Sequence, residues 1–384
     1  MRILYAASDQ RVPGTTGGST HVLAVAEGLA KLGHEVHAVV SAGSTPFPTG
    51  DVSWHALAPP LGVRQLRFLN GSRLVALARR LRPDVVVERY HNFGGEGLRA
   101  AKATGALAVL EVNAPMIDHP GSWKRRIDRA LVVRPMRRRR LWQASMADLV
   151  VTPSVAILPR DIPRTRVLEI EWGADTERFH PGAAGAVPFR REAGTTLAIF
   201  AGAFRRWHGA VHLVRAIERL HAAGRDDIHA VLVGDGPELA PTRAAAHGLS
   251  GITFAGSLPH ERMPACLATA DVGVAPFDVG AHGPLALDFF WSPLKIFEYM
   301  ASGLPVVTPR IPRLERLVGD AGLLYDASDP AALARSLAEL GDRARRRALG
   351  QVARRRAVDR FSWSAHCRAL ESVFLDHRDG RAER

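Results

Sequence analysis

The stretch SPLKIFEYMASGLPVV, Ser292 to Val307, reads as a helix feeding a buried strand. Ser292 suits an N-cap and Pro293 the first helical position, with its fixed φ and missing N–H. Gly303 supplies a left-handed stop, after which Leu-Pro-Val-Val continues as an apolar strand. Lys295 is the anomaly, because a cation in the first turn opposes the helix macrodipole. An anion at this helix start would meet the N–H groups of Leu294 and Lys295 and make the ammonium favourable, and a diphosphate fits that demand. Glu298, one turn deeper, is then placed to accept hydrogen bonds from a vicinal diol such as ribose. The alternative is an ordinary (i, i+3) Lys–Glu pair worth about 0.3 kcal/mol.

Outward from this stretch, the whole chain alternates strand and helix. MRILYAA, HEVHAVVS, PDVVVERY and LAVLEVN read as strands, separated by helical patterns at STHVLAVAEGLAKLG, SRLVALARRL and EGLRAAKATG. A Gly/Ala/Pro-rich stretch follows at His180–Thr196, and the pattern then restarts with LAIFAGA, IHAVLVGDG, ITFAG and VGVAPF. Such a β-α-β series implies parallel sheets with helices on both faces. Two doubly wound, Rossmann-like α/β domains are expected, over 1–182 and 183–360, with a C-terminal helix at about 361–384 packing back on the first.

The 384 residues suffice for two ordinary domains, and 47% apolar content describes a globular chain. No apolar run reaches the ~18 residues of a membrane span. Cys266 and Cys367 form no CxxC pair or disulfide framework, which fits a reducing, cytoplasmic setting. The net charge of +13, mostly arginine, favours polyanions, phosphorylated ligands or anionic membrane without choosing among them.

Ligands of such sheets collect at the carboxyl ends of strands. In the first half, PGTTGGST (Pro13–Thr20) places Gly17 and Gly18 before a helix start, where backbone can approach a phosphate or sugar; the alternative is a plain βα loop. It matches neither a P-loop nor GxGxxG. In the second half, VGDGPEL supplies Gly234, Gly236 and Glu238, FAGSL supplies Phe254, Gly256 and Ser257, and AGAFRRWHGA supplies Gly202, Arg205, Arg206 and His208. Each has a structural alternative in tight turns and surface charge, yet together they converge on one sheet edge. Arg89 and Tyr90 in ERYHNF, and Asn113 in LEVNAP, end strands of the first half and are candidates for a second substrate.

Taken together, GGSTHV, EWGADTERFHP, VLVGDGPEL, FAGSLP, LATADVGVAPF and FEYMASGLPVV resemble glycosyltransferase family 4 over nearly the whole chain. The resemblance implies a retaining GT-B enzyme whose second domain holds a nucleotide-sugar donor and whose first domain holds the acceptor. It further implies chemistry in the cleft, with front-face attack, a donor phosphate oxygen taking the acceptor proton, and no cofactor or metal. Arg206, His208 and Lys295 become catalytic candidates beside the leaving diphosphate. The glycines, Arg205, Glu238, Phe254, Ser257, Ser292, Pro293, Leu294 and Glu298 become donor contacts, and Arg89, Tyr90 and Asn113 acceptor contacts. Two departures stand out. The family's glutamate pair would begin at position 290, which is Phe290, with Asp288 a substitute only if the loop shifts. His208 and Ala203 stand where the family commonly has lysine and arginine. A non-catalytic polyanion-binding GT-B protein, or a GT-B epimerase or phosphorylase, are the competing expectations.

The segment Trp123–Trp142 is basic, has tryptophans at its ends and is interrupted by Pro135. It resembles an interfacial helix meeting anionic lipid at the inner membrane face; the alternative is an amphipathic helix with a solvated arginine face. Nucleic acid is the less favoured partner.

Overall fold

Apolar, β-branched runs set both sheets: Val85–Arg89 and Leu107–Glu111 are buried along their whole length, as strands covered on both faces require. The computed structural model describes residues 1–14, 16–119, 121–131 and 133–382. Thr15 of the first glycine-rich loop, Val132 of the basic segment and the last two positions of the expected 361–384 helix lie outside the described residues. The chain divides into two compact units. Unit 1 comprises Met1–Trp172, Phe290–Ser292 and the segment from Trp363 onward; unit 2 comprises Gly173–Phe289 and Pro293–Ser362.

Unit 1 carries a seven-stranded parallel sheet of β1 (Arg2–Val12), β2 (Glu35–Ala42), β3 (Val52–Ala56), β4 (Val85–Arg89), β5 (Leu107–Glu111), β6 (Leu149–Thr152) and β7 (Val167–Glu169). Its order is β3-β2-β1-β4-β5-β6-β7, with the switch between β1 and β4 that creates a ligand crevice in doubly wound sheets. Its helices are α1 (Gly17–Lys31), α2 (Gly71–Leu81), α3 (Glu96–Thr104), α4 (Trp123–Ala130) and α5 (Pro135–Met146). Thr16 caps α1 by accepting from Ser19 N at 3.2 Å, so Gly17 and Gly18 open the helix instead of lying in a loop before it. Pro135 divides the basic segment into α4 and α5, as its missing N–H demands.

Unit 2 carries β8 (Thr196–Ala201), β9 (Ile228–Val233), β10 (Ile252–Gly256), β11 (Val272–Val274), β12 (Val306–Pro309) and β13 (Gly322–Tyr325). They run parallel in the order β10-β9-β8-β11-β12-β13. The helices are α6 (Ala210–Ala222), α7 (Leu239–Ala245), α8 (Met263–Thr269), α9 (Leu294–Ala301), α10 (Pro312–Val318), α11 (Ala332–Glu339) and α12 (Arg343–Arg360). Phe200, Leu213, Val214, Ile217, Leu232, Val274, Val307 and Leu337 form its buried core. The last helix, α13 (Trp363–Ala382), returns to unit 1 against α1, where Cys367 Sγ lies 3.8 Å from Val25 O.

Candidate active site

In unit 2, backbone hydrogen bonds lace together the loops at the carboxyl ends of β8, β9 and β10. Gly202 N donates to Val233 O at 2.9 Å, Phe204 N to Asp235 O at 2.8 Å and Gly234 N to Gly256 O at 2.8 Å. A Cβ on Gly234 would sit 1.9 Å from Gly202 O, so no side chain fits there. Gly202 itself has φ +140, and a Cβ added to it would lie 2.9 Å from Lys295 Nζ and 3.9 Å from His208 Nδ1. Sequence reasoning proposed these three residues separately; the structure brings them together. Glu238 holds the same corner by donating its N–H to Phe204 O at 2.9 Å. Phe254, in β10, lies under the Arg243 guanidinium at 5.0 Å, and Ser257 is exposed beyond it.

Lys295 projects from the first turn of α9 beside two rings. Its Nζ is 4.3 Å from the Phe200 centroid and 5.4 Å from that of Phe277. The buried amine has no hydrogen-bond partner among the described residues. Burial pushes its pKa down to about 7, with the nearby Glu298 carboxylate pulling weakly upward. His208, a position where the resemblance puts lysine, is held neutral: burial and the Lys295 charge press it down to about 3, while Nδ1 shares a hydrogen bond with Ala203 O. Of these two buried side chains, Lys295 is the one that can carry charge near neutral pH. Arg205 and Arg206 are exposed on the adjoining turn.

Two expectations about α9 need correction. The helix begins at Leu294, and Pro293, at φ −81 and ψ 88, occupies its cap without being helical. Ser292 is no N-cap: its hydroxyl donates to Glu171 and accepts from Trp172 N at 3.0 Å, all within unit 1. Glu298 does not form an ordinary pair with Lys295 either. Its Oε1 meets His260 Nε2 at 2.8 Å, and this hydrogen bond, working against burial, raises the His260 pKa. Phe290 is 1% exposed and belongs to unit 1, its ring 4.6 Å from that of Trp291. Asp288, at φ +123, accepts from Phe289 N at 2.6 Å.

His260, Trp207 and Phe277 went unnoticed in the sequence. Trp207 stacks on Phe277 at 6.0 Å and meets His208 edge-on at 3.9 Å, walling the lysine pocket. The signal available was an aromatic after each of two strand ends, in FRRWHG and APFD.

In unit 1 the acceptor candidates lie at the ends of β4 and β5. Arg89 is 8% exposed; its guanidinium is 3.4 Å from Glu111 and 5.8 Å from the Trp172 ring. Glu111 also accepts from Tyr5 OH at 2.7 Å and pairs with His21 Nε2. Burial opposes ionisation of Glu111, but His21 and Arg89 outweigh it and hold the carboxyl well below its ordinary range. Asn113 Oδ1 accepts from Trp172 Nε1 at 3.0 Å, while its Nδ2 is buried without a partner among the described residues. The hydroxyl of Tyr90 is likewise buried and unpaired. Gly18 approaches the same place, since a Cβ on it would meet Gln10 Oε1 at 2.3 Å and Arg89 Nη2 at 3.5 Å. Gly17 and Gly18, proposed as donor contacts, therefore belong to unit 1, as does Ser292.

Two parallel doubly wound units, one with a glycine-laced edge and a buried cation, define the GT-B class. The structural comparison agrees: sucrose-phosphate synthase of Thermosynechococcus elongatus superposes with a TM-score of 0.70 at 19% identity, covering 99% of each chain. Anabaena HepE in complex with UDP-glucose superposes at 0.67 and 16% identity, covering 98% of this chain and all of that one. Within the class, residues 15–178 match the Glycosyltransferase Family 4 model and residues 195–343 the Glycosyl transferases group 1 model, so the chain belongs to glycosyltransferase family 4. A D-inositol 3-phosphate glycosyltransferase of Corynebacterium kroppenstedtii is 32% identical over 221 residues, 53% of this chain and 47% of that protein. The match thus spans about half the length of that relative. A GDP-mannose-dependent alpha-mannosyltransferase of Mycolicibacterium smegmatis is 28% identical across 96% of both chains.

Proposed function

We propose that the protein is a retaining glycosyltransferase that moves a hexosyl group from a nucleoside-diphosphate sugar to a hydroxyl acceptor. The observation that carries this reading is the unpartnered buried amine of Lys295 beside the Gly202 turn. A buried lysine without a carboxylate in contact is costly unless something anionic arrives, and a departing diphosphate is such an anion. Lys295 would hold its charge as the glycosidic bond breaks, while Glu298, steadied by His260, would take the ribose hydroxyls. Acceptor attack from the leaving-group face would pass the acceptor proton to a donor phosphate oxygen, with neither cofactor nor metal called upon. Arg206, and the Gly234 and Gly236 backbone, are assigned to the same diphosphate, and Arg89, Tyr90 and Asn113 to the acceptor.

The donor complexed with HepE and the donor named for the mycobacterial relative support UDP-sugars and GDP-sugars as the first to test. The inositol phosphate relatives support a small polyol acceptor, with a cell-envelope glycan or lipid precursor as the other class. A cytoplasmic setting is supported by two free, buried thiols, Cys266 and Cys367. Thermal shift tests the core of the proposal: a nucleoside diphosphate should raise the melting temperature more than its monophosphate. Equal shifts would remove the diphosphate role from the Lys295 pocket.

A further inference from the structure

Six of the eight exposed large hydrophobic residues among the described residues fall in two short segments of unit 1. One holds Leu61, Val63 and Leu69, between β3 and α2; the other holds Trp123, Leu131 and Val133, around α4. Leu61 is 92% exposed, the most of these eight.

Neither segment hangs loose. Arg67 anchors the first: fully buried, it reaches Asp9 and Glu96 at 2.5 Å each, with Glu88 at 3.9 Å. Asp128 anchors the second by accepting from Met136 N and Arg137 N, both at 2.9 Å, across the corner between α4 and α5. Each segment also contains a non-glycine residue in the left-handed region, Leu61 at φ 55 and Arg134 at φ 45. Such conformations persist only where surrounding contacts impose them. Here they hold apolar side chains out in water, which gives the fold nothing in return.

The two segments are neighbours. Both border His91, which burial and the Arg67 charge press down to about 4, with Lys124 and Arg64 adding to the effect and Asp9 opposing it. Arg139 of α5 lies 6.0 Å over the ring of Phe68 in the first segment. Between the apolar side chains stand exposed cations, among them Arg64, Arg125, Arg126, Arg137 and Arg138.

We propose that this face of unit 1 docks on an anionic lipid bilayer. The leucines, valines and Trp123 enter the boundary between headgroups and acyl chains, and the arginines meet lipid phosphates. A nucleic acid would use the arginines but gain little from Leu61 or Val63, because its contacts go to phosphates and base edges. A bilayer uses both kinds of side chain at once. Docking is peripheral: among the described residues no helix is long and apolar enough to cross a membrane.

Co-sedimentation of the full chain with sucrose-loaded vesicles tests this. Vesicles of equal parts phosphatidylglycerol and phosphatidylcholine should pull the protein down, and pure phosphatidylcholine should do so far less. Leu61→Ser combined with Trp123→Ser should weaken the partition by about ten-fold or more, the scale of withdrawing two apolar side chains. Arg125→Glu with Arg126→Glu should do at least as much, since each cation near such a surface contributes about five-fold. These residues are exposed, so all variants should melt with the wild type, and that is checked first. Tryptophan emission should shift to the blue on adding anionic vesicles, and Trp123→Phe should remove most of that shift. Wild-type protein left in the supernatant with anionic vesicles would overturn the proposal. So would a Leu61/Trp123 variant that sediments as well as the wild type. A DNA duplex that binds this face tightly and indifferently to Leu61 would reassign it to nucleic acid.

Discussion

The two sheet edges handle charge in opposite ways. In unit 1, Glu111 is surrounded by Arg89, His21 and Tyr5, and Arg67 by Asp9, Glu96 and Glu88. In unit 2, Lys295 ends against two aromatic rings with no hydrogen bond among the described residues. A network of opposite charges mainly fixes a shape, because its members neutralise one another. An open buried charge stores a demand that a ligand can meet. The same residue types therefore compensate one another in one unit and leave a charge uncompensated in the other.

The largest effect expected from this contrast is on stability in unit 1. Arg67→Met should cost ~3–5 kcal/mol, because three buried carboxylates lose their counter-charge. Glu88, which burial and Glu96 already push up to about 7, should then take up a proton, so the loss should shrink in acid. Chemical denaturation at two pH values reads this out. A variant as stable as the wild type would show that unit 1's network is no scaffold.

Lys295→Met should behave the other way round. Turnover should fall by about two orders of magnitude, the scale of losing one electrostatic stabiliser. Stability should hold or rise near neutral pH. With Lys295 depressed to about 7 when folded against about 10.5 unfolded, the unfolded chain binds the extra proton between those values. The wild type should therefore gain stability as pH climbs from 7 towards 10, a component that the Met variant lacks. Melting curves across that range, beside initial rates with a nucleotide-sugar donor, separate the two roles.

Glu298→Gln should weaken nucleotide binding by ~1.5–3 kcal/mol, the worth of a charged hydrogen-bond acceptor. Isothermal titration with a nucleoside diphosphate gives the number, and unchanged affinity would leave Glu298 a structural partner of His260.

The smallest effect belongs to His260→Gln. The His260 pKa is raised in the fold, so its contribution is complete below the unfolded value and fades as pH rises through the folded one. With about a third of the side chain exposed, it should amount to less than ~1 kcal/mol. The expected readout is a shallower fall in melting temperature above pH 6.5 than the wild type shows.

The fold was legible where apolar runs were long. β4, β5, β8, β9 and β12 stand where PDVVVERY, LAVLEVN, LAIFAGA, IHAVLVGDG and LPVV placed them. β3, β7 and β13 were missed because edge strands of five, three and four residues, only partly covered, leave no readable period, and β6 because a buried run of four residues is too short to stand out. At the site, glycines and Lys295 were visible as chemistry out of place. The fate of Ser292 was not, because its partner Glu171 lies 121 positions away in the chain. The His260–Glu298 pair was hidden for the same reason, at a separation of 38. Local propensity also favoured Ser-Pro as a cap, and a tertiary hydrogen bond overrode it.

Unit 1 is assembled from three separate lengths of chain, and this has a consequence for how the protein is made. A ribosome delivers β1 to β7 first, then nearly all of unit 2, and α13 only after that. Until that moment His21 lacks Trp363 and His366 against its ring, and the α1 face around Val25 and Gly28 stays uncovered. Unit 2, by contrast, has its full complement once Ser362 has emerged. Unit 1, although its sheet is made first, therefore cannot be completed until α13 has followed unit 2.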